Sequence, residues 1–193
     1  MVEKISTEHV DVVGVTSVGD ELFVLLSRDR YQLCVYSAVD EDYYRPLRHV
    51  HLPGLRKHEY NDLASCARRR CLYISDWNGR SIHRLQLVSG ATGIWSVAGL
   101  PCGLSMTADR SLLATCHEPN KLVEVCADSG RCLREIALQP DPTESCRPWH
   151  AVRLTGGQFA VCHGLPHTGD HRVCVLDVDG RLQFRYLGVY LKR

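Results

Sequence analysis

Histidine and cysteine are the residues of this chain best suited to chemistry, and both recur at short spacings. The stretch HGLPHTGDH brings His163, His167, Asp170 and His171 within nine residues. Neutral imidazole is a common transition-metal ligand, and a loop can converge several of them. A His-x3-His spacing, however, serves a metal best on a helix. Gly164, Pro166 and Gly169 oppose a helix here, so a polar hairpin loop is the preferred reading and a metal site the alternative. His49 and His51 in HVH share one side of a strand and are read as structural.

The ten cysteines invite three readings. Cys34, Cys162 and Cys174 sit inside apolar runs and are expected to be small buried hydrophobes. Cys66 with Cys71, and Cys126 with Cys132, lie across hairpins and could bridge in an oxidising compartment. Zinc is disfavoured, because no C-x2-C knuckle is present. Cys116-His117 and Cys162-His163 are neighbours whose side chains leave a strand on opposite faces, so adjacency makes no nucleophile–base pair. The G-x-S-x-G, P-loop and H-E-x-x-H signatures are absent, and no cofactor is implied.

The elements that must position these residues repeat along the chain. ELFVLL (21–26), CLYIS (71–75), SLLATC (111–116) and QFAVC (158–162) recur every 40 to 50 residues, with Val24, Tyr73, Ala114 and Val161 taken as equivalent centres. Each is followed by a polar turn and a second strand: YQLCVY, RSIHRL, KLVEVC and HRVCVLD. A further strand follows each unit (LRHVHL, GIWSV, CLREIAL, LQFRYLG), and another leads into it (VVGVTSV, NDLASC, CGLSMT, WHAVRL). Gly19-Asp20, Asn78-Gly79, Ser89-Gly90, Ser129-Gly130 and Asp179-Gly180 of the intervening turns punctuate them. No amphipathic stretch competes as a helix. Four short antiparallel strands per unit is the grammar of a β-propeller blade, and stacking blades buries the faces a lone sheet leaves wet. The expectation is an all-β chain forming a single propeller region over 1–193, with four blades at about 10–54, 59–99, 102–139 and 147–188.

RRRCLYISDWNGRSIHRL resembles the middle of an NHL-type blade, where a strand ends in Asp and an Asn- or Gly-containing turn follows. RPWHAVRLTGGQFAVCH resembles the lead-in of such a blade. His117 and His163 stand where the NHL pattern would have Asp. The resemblance implies a propeller generally of six blades, so four blades suggest part of a larger ring. It also implies a C-terminal setting like that of tripartite-motif ubiquitin ligases, although no RING or B-box spacing is present.

In a propeller the turns between second and third strands share a face with the blade-to-blade connections, and loops on a rigid scaffold commonly carry binding residues. Arg28, Asp76, His117 and His163 are expected to end equivalent strands in a ring. Trp77, Asn78, Arg80, Lys121, Trp149 and His150 stand beside them. Aromatic and arginine anchors suit a protein or peptide partner, so a non-enzymatic scaffold is the leading expectation. Asp76 in particular is as well explained by bracing its own turn.

Two alternatives accompany it. One is a calcium-dependent propeller hydrolase or lactonase using Asn61, Asp62, Glu118 and Asn120, although such acids are not repeated blade by blade. The other is an RNA-binding propeller, for which Arg68–Arg70 is the only basic run. The balance of 23 basic and 22 acidic residues favours neither nucleic acid nor an anionic membrane. The chain has no apolar run of membrane-spanning length, and its N-terminus does not read as a secretory signal. A reducing, cytoplasmic setting with free thiols is expected.

Overall fold

The computed structural model describes residues 11–27, 31–38, 44–50, 59–139, 147–164 and 172–187. They form sixteen strands in four antiparallel sheets of consecutive strands. Sheet 1 holds β1 (Asp11–Val18), β2 (Glu21–Ser27), β3 (Tyr31–Ala38) and β4 (Tyr44–Val50). Sheet 2 holds β5 (Tyr60–Cys66), β6 (Cys71–Asp76), β7 (Ser81–Gln86) and β8 (Thr92–Ser96). Sheet 3 holds β9 (Pro101–Met106), β10 (Ser111–Cys116), β11 (Lys121–Cys126) and β12 (Cys132–Ala137). Sheet 4 holds β13 (Pro148–Arg153), β14 (Phe159–His163), β15 (Arg172–Leu176) and β16 (Leu182–Leu187). Among the described residues no helix is long and apolar enough to cross a membrane.

The sheets stack face to face like propeller blades, with the lead-in strands innermost. β1 packs on β5, β5 on β9 and β9 on β13, and the arc is not closed into a ring. Each interface is apolar. Phe23, Leu25, Leu33 and Val35 of sheet 1 meet Leu63, Leu72, Ile74 and Leu85 of sheet 2. Tyr73 and Ile82 meet Leu104, Leu112, Ala114, Val123 and Val125 of sheet 3. Leu113, Leu122 and Ile136 meet Ala151, Phe159, Val161 and Leu176 of sheet 4. β6 and β10 are buried at every position, because a middle strand of an inner blade is covered on both faces. On the far side of sheet 4, Val152, Cys162 and Phe184 are exposed.

The pairing register corrects two expectations. Val24, Ala114 and Val161 lie opposite Val15, Leu104 and Ala151, but the matching residue of sheet 2 is Ile74, opposite Leu63, not Tyr73. Asp76 and His163 end their strands opposite Tyr60 and Pro148. Their counterpart in sheet 3 is Cys116, opposite Pro101, and His117 falls one residue later, in the turn.

All four inner strands share one irregularity near the loop face. The register slips by one residue between Val12 and Gly14, Tyr60 and Asp62, Pro101 and Gly103, and Pro148 and His150. Each slip is a β-bulge, which leaves one residue unpaired and re-aims the next. The bulged residues are Val13, Asn61, Cys102 and Trp149. Those that follow, Gly14, Asp62, Gly103 and His150, are therefore structural equivalents, one per blade.

Candidate functional site

Two groups of side chains lie at this end of the blades: the turn between β6 and β7 with its neighbours, and the residues after the inner bulges.

Asp76 organises the first. It is fully buried. Its Oδ1 accepts from the Gly79 amide at 2.9 Å and from the Glu59 amide at 3.4 Å. Its Oδ2 accepts from the Ser81 hydroxyl at 3.4 Å and lies 3.2 Å from His83 Nε2. His83 in turn meets the Tyr60 ring edge-on at 5.3 Å, and Tyr60 meets Tyr31 at 5.2 Å. Burial and the nearby Asp76 charge push the Tyr60 phenol far up, so it stays protonated. Asp76 thus braces its turn and does not face the surface. A Cβ on Gly79 would stand 2.0 Å from Asp76 Oδ2, so this turn position has no room for a side chain.

The braced turn presents Trp77, half-buried, and Asn78 and Arg80, both exposed. Trp77 stacks on His117 of the neighbouring sheet, with ring centroids 5.4 Å apart and planes at 30°. Burial and the Arg147 charge hold the His117 pKa below its ordinary value, which keeps the stacked ring neutral.

Two other expected surface residues are not available. Lys121 is buried and pairs with Glu135 at 2.8 Å. His163 is 5% exposed, and burial, with Arg172 and Arg185 nearby, lowers its pKa to about 4. Arg28, His51, His167, Asp170 and His171 lie outside the described residues, so the histidine loop cannot be assembled beyond His163. Among the described residues no group of three His, Cys, Asp or Glu could hold a metal ion.

The buried imidazole of His163 makes stability depend on pH. The unfolded chain takes up its proton near 6.5, whereas the folded chain resists until about 4. The stabilisation is complete above the unfolded value and is lost as pH falls through this window, by roughly 3 kcal/mol in all. Urea midpoints are expected to fall from pH 7 to pH 4, and to fall less in His163→Asn. Equal slopes would contradict this.

The second group is built across three blades. Asp62 Oδ2 lies 3.0 Å from His150 Nδ1, joining residues 88 apart in the chain. The same oxygen accepts the Leu104 amide at 2.8 Å, and Oδ1 accepts the Leu63 amide at 2.8 Å. Gly103 makes the meeting possible. A Cβ there would stand 2.5 Å from the Trp149 carbonyl oxygen, 2.7 Å from His150 Cα and 2.9 Å from His150 Nδ1. Gly14 is confined likewise: a Cβ there would stand 2.9 Å from the Leu63 amide nitrogen. Hydrogen bonds between blades tie β9 to its neighbours beside it: Ser75 of β6 donates to the Cys102 carbonyl at 3.0 Å, and the Cys102 thiol to the Pro148 carbonyl at 3.3 Å. Burial pushes the Cys102 and Cys116 thiols up to about 12, which keeps both protonated at neutral pH. Asp62 and His150 were separately legible as candidates. Their pairing and the two glycines were not, because no residue pattern marks the bulges.

The opposite face holds the basic run. Arg69 grips Asp128 of sheet 3 at 2.5 and 2.8 Å, so its charge is spent on an ion pair between blades. Cys66 faces Cys71 across this hairpin, yet all nine described cysteines are free thiols. The Cys71 thiol donates to Gln86 Oε1 at 2.5 Å.

No protein-family model and no curated protein matches the sequence. Solved structures do match the fold. A Bacteroides caccae protein of unknown function superposes with TM-score 0.67 at 11% identity, over 94% of this chain and 68% of its own. A catalytically inactive virginiamycin B lyase from Staphylococcus aureus with quinupristin superposes at 0.65 and 11%, over 94% of this chain and 57% of its own. Glutaminyl cyclase from Myxococcus xanthus superposes at 0.60 and 12%, over 90% and 69%. At these identities the likeness establishes the propeller fold and nothing finer. The NHL identity that the sequence suggests is not confirmed. The chain spans 49% to 68% of the first three structures it matches.

Proposed function

We propose that this propeller is a non-enzymatic interaction module that binds a protein or peptide partner through the loop face around Trp77. The stack of Trp77 on His117 carries the reading. It holds an indole half-buried against a ring of the next blade, beside the exposed Asn78 and Arg80. Rigid aromatic anchors flanked by arginine dominate binding energy at protein interfaces, because they bury large area at little entropic cost. A reducing, cytoplasmic setting, as the sequence suggests, belongs to this reading. The NHL resemblance suggests the same kind of role, as a partner-binding region of a larger protein.

The test is capture from cell extract, comparing the wild-type chain with Trp77→Ala and Arg80→Ala. Loss of a hot-spot residue costs about 2 kcal/mol or more, so the captured partner is expected to fall at least about tenfold with Trp77→Ala. Thermal melts should stay close to wild type. An unchanged capture profile with both variants would rule out this face.

A further inference from the structure

The outer face of sheet 4 repeats the face on which sheets 1 to 3 each bed their neighbour. The pairing register makes Val24, Ile74, Ala114 and Val161 equivalent middle-strand positions. Side chains alternate along a strand, so the residues on either side of each point toward the next blade. They are Phe23 and Leu25, Tyr73 and Ser75, Leu113 and Thr115, and Ala160 and Cys162. The first six are 0% exposed. Ala160 is half-buried and Cys162 is exposed. Val152, Ala160, Val175 and Phe184 form one row across all four strands of sheet 4, and Cys162 pairs with Val173 in the next. Val152 is 40% and Phe184 61% exposed. None of these residues carries a charge, whereas the matching row of sheet 3, Ser105, Leu113, Glu124 and Arg134, contains an ion pair.

We propose that this face is a self-association surface, on which the same face of a second copy of the chain packs about a two-fold axis. A two-fold pairing sets each group near its own kind, so it suits an apolar face without charges that would repel one another. Head-to-tail packing on sheet 1 is not open to the second copy. The middle strands there are already covered, with Val24, Leu26 and Cys34 at 3%, 9% and 4% exposure. Sheet-on-sheet packing is also the contact that the chain already makes at each of its three blade interfaces. Trp77 belongs to sheet 2, two blades away, so the dimer leaves the loop face open in both copies and presents it twice.

The test is sedimentation of the purified chain from about 1 to 100 μM, the range in which a small interface associates. The wild type is expected to reach twice the mass of one chain. Phe184→Asp places a charge at the centre of the contact and should weaken the dimer at least about tenfold. Phe184 is exposed within one chain, so the variant's thermal melt should stay close to wild type. Trp77→Ala should dimerise as the wild type does, which separates this surface from the loop face. Alkylation by N-ethylmaleimide, read peptide by peptide, locates the contact without any variant. Cys162 should react more slowly as concentration rises, whereas Cys132, exposed on the outer strand of sheet 3, should not. A wild-type mass of one chain at about 100 μM overturns the proposal, whether Cys162 is reactive or is shielded by the chain's own residues. A dimer that survives both Phe184→Asp and Val152→Asp, or that Trp77→Ala abolishes, overturns it as well.

Discussion

Asp76→Ala is expected to lower folding stability by about 3 kcal/mol or more, the range for removing one partner from a buried charged network. The carboxylate has no exposure and gathers four groups: the amides of Gly79 and Glu59, the Ser81 hydroxyl and the His83 ring. Alanine leaves these donors in a space that excludes water, and each unsatisfied group costs about 1–3 kcal/mol. The loss reaches the loop face as well. Trp77 begins the turn that Asp76 closes, so its stack on His117 should loosen. Urea unfolding followed by tryptophan fluorescence measures both, through the midpoint and the native emission. A midpoint shift worth less than about 1 kcal/mol would show that the carboxylate is not the hub of its turn.

The role of Asp76 was partly legible, since an Asp closing a strand before Asn-Gly is a turn signature and bracing was one of its two readings. The strands were legible for the same kind of reason: compact apolar runs separated by Gly, Asp and Asn. The register was harder. CLYIS is buried at every position, so it has no inside–outside alternation to fix its phase, and the repeat aligns on Tyr73 where the pairing register aligns on Ile74. The shift of His117 into the turn has the same origin in SLLATC, buried throughout. The surface assignment of Lys121 failed because its ammonium finds Glu135 on the adjacent strand, a cross-strand partner that spacing alone does not reveal. The Asp62–His150 pair lay deeper. It depends on bulges in three inner strands and on a glycine whose only outward sign is its missing side chain.

That glycine yields the second large effect. Gly103→Ala is expected to cost about 2–3 kcal/mol, the range for forcing extra volume into a tight core. Two of the obstructing atoms, the Trp149 carbonyl oxygen and His150 Cα, belong to the backbone of β13 and cannot rotate aside. The strand must move, which separates the inner edges of sheets 3 and 4 and pulls His150 from Asp62. Gly156 is the internal control: it lies in a turn, and a Cβ there meets only the flexible Gln158 side chain at 3.8 Å.

The account rests on inner strands that converge at their bulges closely enough for residues from blades 2 and 4 to meet over blade 3. The most direct measurement is the urea unfolding free energy of Gly103→Ala beside that of Gly156→Ala. The account predicts a loss of about 2–3 kcal/mol for the first and a change within about 0.5 kcal/mol for the second. Equal, small changes in both would contradict it.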